Sequence, residues 1–96
     1  MIIEINPKNT TANLNIGNAL NDLGEYKEAL NAYHKVLIIK PDHAEAYNNM
    51  GDILRDLGRL DESIDVYKKC IEVSFRHSIY LSFVIFIEYY KFFYFK

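Results

Sequence analysis

The sequence predicts an all-α protein made of two consecutive helix pairs. Three observations carry this. Apolar residues recur at helical spacing, glycines stand where helices would end, and one pattern returns after 34 residues without a gap. With residues 10–43 laid over 44–77, identities fall at Ala12/Ala46, Asn15/Asn49, Gly17/Gly51, Leu20/Leu54, Asp22/Asp56, Leu23/Leu57, Gly24/Gly58, Glu28/Glu62, Tyr33/Tyr67, Lys35/Lys69 and His43/His77. Ile16/Met50, Leu30/Ile64, Leu37/Ile71 and Ile39/Val73 are conservative pairs at the same offset.

The first helix is expected over 9–23, with Asn9 as its cap and Gly24 as its stop. A second is expected over 26–39, and Pro41 prevents it from continuing. The third is expected over 43–57. Asp42 and Glu45 read as a capping box, Ala46, Tyr47, Met50, Gly51 and Leu54 form its apolar stripe, and Gly58 ends it. The fourth is expected over 60–73, with Ile64, Tyr67 and Cys70 or Ile71 on one face. Gly17 and Gly51 lie inside helices, where glycine costs about 1 kcal/mol against alanine. Their recurrence at one register predicts close helix–helix approach.

These residues resemble the tetratricopeptide repeat. The resemblance is carried by Ala44-Glu45-Ala46-Tyr47-Asn48-Asn49-Met50-Gly51 with Leu54, Gly58, Tyr67 and Cys70. Ala12, Ile16, Gly17, Leu20, Gly24, Tyr26, Ala29, Tyr33 and Pro41 carry it in the first unit. It implies antiparallel helix-turn-helix units stacked as a short right-handed solenoid. Departures are Asn13 in place of an aromatic residue, Ser63 and Cys70 in place of alanines, and Phe75 in place of the closing proline. Within the family the asparagine-rich first helices are most similar to arrays such as the repeat region of O-linked N-acetylglucosamine transferases.

The expected organisation is the end of a preceding repeat over 1–8, one repeat over 9–43 and a second over 44–77. In the first segment, Ile3, Ile5 and Pro7 align with Leu37, Ile39 and Pro41. The pattern fails after about Val73. Residues 78–96 form a tail of different composition, and ten of the chain's aromatic residues fall between Phe75 and Phe95. Three readings of that tail stand open: a divergent capping helix over the array end, a membrane-associating segment, or translated noncoding sequence. Val73-Ser74 can be encoded by GTA-AGT, a splice-donor sequence. Glu88 and Lys91 interrupt the apolar run before the ~18–20 residues of a spanning helix, so membrane association is disfavoured.

Net charge is −2, from 11 basic and 13 acidic residues, which makes a polyanion such as nucleic acid a poor partner. One cysteine excludes an internal disulfide, and His34, His43 and His77 lack ligand spacing. No cofactor motif or catalytic constellation stands out, so the expectation is a non-enzymatic binding module. No secretory signal is visible, and the cytoplasm is the expected compartment.

The resemblance further implies that a protein or peptide partner binds in a concave groove lined by the first helices. It places Asn15, Asn18, Asn49, Asp52 and Arg55 there, beside Asp22, Glu45 and Asp56. Asn15 and Asn49 share one repeat position, and a carboxamide both donates and accepts, so the two form a candidate ladder for a peptide backbone. Some members of the family clamp a terminal carboxylate with lysines. Leu14 and Ile79 or Phe83 occupy those places here, so a charge-assisted clamp is not expected. The acidic balance favours basic or neutral segments. The alternative is a non-catalytic, substrate-presenting repeat fragment of a glycosyltransferase.

Overall fold

The computed structural model describes residues 9–94. The expected repeat end at 1–8 lies outside the described residues, as do Phe95 and Lys96. Among the described residues, four helices succeed one another: α1 (Thr10–Asp22), α2 (Tyr26–Ile39), α3 (Ala44–Asp56) and α4 (Leu60–Tyr94).

The helix boundaries obey local chemistry. The Asn9 side chain accepts from the Ala12 amide at 2.9 Å and opens α1. His43, one repeat later, does the same for α3, its Nδ1 accepting from the Ala46 amide at 3.2 Å. This corrects the expected Asp42–Glu45 capping box. The helix starts at Ala44, so Asp42 falls one residue before the cap.

Gly24 and Gly58 take φ of 78° and 76°, the left-handed conformation that their positions require. Around Gly24, the Glu25 amide donates to the Leu20 carbonyl at 2.8 Å and the Gly24 amide donates to Asn21 at 3.0 Å. Around Gly58, Arg59 and Gly58 make the matching bonds to Leu54 and Arg55. Both turns therefore end their helices with the paired bonds of a Schellman motif.

Gly17 and Gly51 sit under tyrosine rings. A Cβ at Gly17 would lie 2.6 Å from Cε1 of Tyr33, and one at Gly51 would lie 2.5 Å from Cε1 of Tyr67. Each glycine thus lets the second helix of its own pair seat an aromatic ring against the backbone of the first. Leu14, Ala29, Tyr33, Val36, Ala46, Met50 and Ile53 form a core that α1, α2 and α3 share. Ser63, where the repeat favours alanine, is buried, and its Oγ donates to the Gly51 carbonyl at 2.8 Å. That bond removes the penalty of an unpaired hydroxyl.

The fourth helix departs from expectation. It does not stop at Val73 but runs on without a break to Tyr94. In the first repeat Pro41 forbids continuation. Phe75 holds that register position in the second repeat and permits it. An i,i+4 pair between Glu72 and Arg76, 2.5 Å apart, spans the junction. Residues 74–94 are exposed throughout and do not turn back over α3 and α4, so the capping geometry considered for the tail is not adopted. Stacked Tyr90–Tyr94 rings, 4.4 Å between centroids, and the tilted Tyr89–Phe93 pair are i,i+4 contacts along the same helix. By length and composition α4 is apolar enough to cross a membrane, with mean hydropathy 1.5 over its best window and none of that window buried.

Candidate functional site

The polar rows of α1 and α3 meet through one hydrogen-bonded chain. The Tyr33 hydroxyl donates to Oδ1 of Asn18 at 2.6 Å, and Nδ2 of Asn49 donates to the same oxygen at 3.0 Å. A residue of α2, one of α1 and one of α3 thereby share a single acceptor. Burial pushes the Tyr33 phenol up, and the neighbouring Asn49 amide opposes that shift.

One repeat later, the Tyr67 hydroxyl donates to the Asp52 carboxylate. Tyr33–Asn18 and Tyr67–Asp52 are thus the same contact built with a neutral and a charged acceptor. The Tyr67 phenol is raised, first by this bond to a carboxylate that favours the protonated donor, then by burial. Arg55 lies 3.8 Å from the Asp52 carboxylate and 3.4 Å from that of Asp56. The guanidinium is raised, chiefly through the charge of the nearby Tyr67 oxygen and the hydrogen bond to Asp56.

Of the residues named from sequence, Asn18 and Asn49 come together, half-buried, and Asp52 and Arg55 come together. Asn15 and Asn49 do not pair. Asn49 reaches back to Asn18, and Asn15 stands exposed one turn away. Sequence reasoning misses the tyrosine partners. A signal for them exists, because Tyr33 comes after Asn18 and Tyr67 after Asp52 by the same 15 positions.

Cys70 is half-buried, with Sγ 3.3 Å from the Ala44 carbonyl, a packed thiol at the small-residue position. A separate hollow of about 440 Å³ opens beside the start of α3, lined by His43, Glu45, Ser74, His77 and others. It arises where α4 runs past the point at which α2 turns.

The tetratricopeptide-repeat family model matches residues 9–74. The chain belongs to the tetratricopeptide-repeat family. Solved structures of MamA share its fold. One superposes with a TM-score of 0.75 at 29% identity, covering 76% of this chain and 43% of that one. A second MamA structure gives 0.71 at 29% identity over 78% and 41% of the two chains. A third, of MamA from MSR-1, gives 0.73 at 25% identity over 75% and 41%. The repeat chain thus spans about two-fifths of the length of these structures. No curated protein matches it by sequence. Its first three helices and the start of α4 are the two-helix units of the tetratricopeptide-repeat solenoid.

Proposed function

We propose that the chain binds an extended peptide segment along the groove face of α1 and α3, with Asn15, Asn18, Asn49, Asp52 and Arg55 as contact residues. The observation that carries this reading is the Tyr33–Asn18–Asn49 chain, which fixes the two first helices side by side with their polar rows aligned. A peptide meeting such a surface finds amides already oriented, so little side-chain ordering opposes binding. Asn15 and Arg55 are the exposed members and supply the adaptable contacts. Asp22, Glu45, Asp52 and Asp56 outnumber Arg55 along these helices, so the groove favours lysine- or arginine-containing peptides over acidic ones.

Fluorescence anisotropy with a labelled lysine-rich peptide and its glutamate-substituted counterpart tests this. The lysine-rich peptide binds more tightly, and the preference shrinks as salt rises. Asn15→Ala weakens binding by about 0.5–1.5 kcal/mol, the worth of one hydrogen bond, while Lys35→Ala on the opposite face leaves it unchanged. Equal affinity for the two peptides, or sensitivity only to Lys35→Ala, sinks the proposal. The glycosyltransferase reading requires a catalytic domain after the array, and finding one downstream in the parent transcript would decide for it.

A further inference from the structure

We infer that the projecting part of α4 lies in the boundary between the headgroups and acyl chains of a lipid bilayer, and so holds the repeats at a membrane surface. Among the four helices α4 packs on α3 alone, and every residue from 74 to 94 is exposed. A soluble protein buries a helix of this apolarity in its core. Here the window with the length and hydropathy of a membrane helix has none of its residues buried.

The charges decide how this helix meets a bilayer. Residues 78–87 form an uncharged run of ten, too short to span and of the length of an interfacial segment. Arg76, at the root of the projecting part, is turned to Glu72 at 2.5 Å. His77 and Glu88 are eleven residues apart, about three helical turns, so they stand on one line. Lys91 joins that line one turn further on, with Nζ 3.9 Å from the Glu88 carboxylate. A helix crossing the bilayer would draw Glu88 and Lys91 into the hydrocarbon. A helix lying flat turns the whole line to water and headgroups.

The side opposite this line is a stripe of Ile79, Phe83, Phe86, Tyr90 and Phe93, spaced alternately by four and three residues and all exposed. Such a stripe alone would also suit a second helix. The residues beside it choose between the two. In a helix–helix seam the flanking positions carry charges that set the pairing. Here they are Ile87, Tyr89 and Tyr94, exposed and uncharged. The apolar sector is therefore wider than a seam and fits the continuous apolar phase of lipid. Tyrosine rings are apolar bodies with polar tips, suited to the headgroup level, and four of them stand on this stretch.

Flotation of the full chain with phosphatidylcholine vesicles tests this, because aggregates sink while lipid-bound protein rises. The chain should float, and should still float at high salt, since apolar surface rather than charge holds it. Phe83→Asp with Phe86→Asp should abolish flotation while circular dichroism keeps its helical signal. Ile38→Asp, at an exposed site on α2, should leave flotation unchanged. The sequence has no tryptophan, so Phe86→Trp gives a single reporter of depth. Lipids brominated high on the acyl chain should quench it more than lipids brominated near the bilayer centre. Stronger quenching from the centre would show a spanning helix and overturn the proposal. So would a chain that stays at the bottom of the gradient, or flotation that survives the double aspartate change. A chain that elutes as a dimer and does not float would assign the stripe to a second copy and overturn it likewise.

Discussion

Gly17→Ala isolates the contact on which each helix pair is built. Helix propensity alone favours alanine by about 1 kcal/mol at an interior helical position. Sterics oppose it. The new Cβ would stand 2.6 Å from Cε1 and 2.9 Å from Cδ1 of Tyr33, closer than real Cβ atoms come to a neighbour. The ring cannot yield cheaply, because it is fully buried and its hydroxyl is held by Asn18. Forcing extra volume into such a site costs about 1–3 kcal/mol, and losing the Tyr33–Asn18 bond adds about 0.5–1.5 kcal/mol. Together these terms exceed the propensity gain, and the net destabilisation is about 1–3 kcal/mol. For a domain of this size, each 1 kcal/mol lowers the thermal midpoint by about 4–8 °C.

Gly51→Ala is the internal comparison. Its Cβ clashes with Tyr67 at 2.5 Å, but that ring is only half-buried at the open end of the array and can swing outward. The loss there should be smaller than at Gly17. Circular dichroism melts of both variants at low concentration give the ordering. A Gly17→Ala protein as stable as the parent, or more so, would refute the argument. It would mean that propensity governs the position and that the ring is not confined.

Four further outcomes are expected. Asn18→Ala leaves the Tyr33 hydroxyl and the Asn49 amide without their shared acceptor and should cost about 1–3 kcal/mol in a denaturant titration, whereas Asn15→Ala at an exposed site should change stability by no more than about 0.5 kcal/mol. The folded Tyr67 phenol is raised above its ordinary value of 10.0. Its contribution is therefore fully present below that value and is lost as pH climbs through the higher folded value, so Tyr67→Phe should flatten the fall in stability that melts at pH above 10 record for the parent. Phe75→Pro restores the residue type of the first repeat and should end α4 near Val73, lowering helical ellipticity. Residues 1–74 alone should scatter less light than the full chain, since the exposed Phe and Tyr of the tail are removed. A transcript spliced at Val73 into a regular third repeat would identify the tail as noncoding sequence.

The helix pairs were legible because their determinants are local and recur. Asn9, Gly24, Pro41 and Gly58 each fix a boundary by their own backbone or capping chemistry, and the 34-residue offset sets Gly24 and Gly58 against each other in the same left-handed turn. The end of α4 was not legible, because the absence of a breaker at Phe75 carries no positive signal of its own. The site was legible by face but not by bond. Register places Asn15, Asn18, Asn49 and Asp52 on first helices, yet the choice of Asn18 rather than Asn15 as partner to Asn49 depends on how far α3 is offset along α1. That offset is set by packing of Ala46, Met50 and Ile53 against α2. The Tyr33 and Tyr67 hydroxyls depend on the same packing, since their rings must first lie over Gly17 and Gly51.

The unbroken α4 also has a mechanical consequence. At 1.5 Å per residue its 35 residues make a rod of about 52 Å, of which the stretch beside α3 is only about 20 Å. The remainder, about 30 Å, is a lever arm longer than its own mounting. A sideways force at Tyr94 is therefore magnified at the seat, where it pulls Tyr67 off Gly51 and strains the Gly58 turn before it reaches the first repeat. Whatever holds the tip of this helix has direct purchase on the second repeat, and the load meets the Cys70–Ala44 contact before the Tyr67–Asp52 bond, which lies farther from the arm.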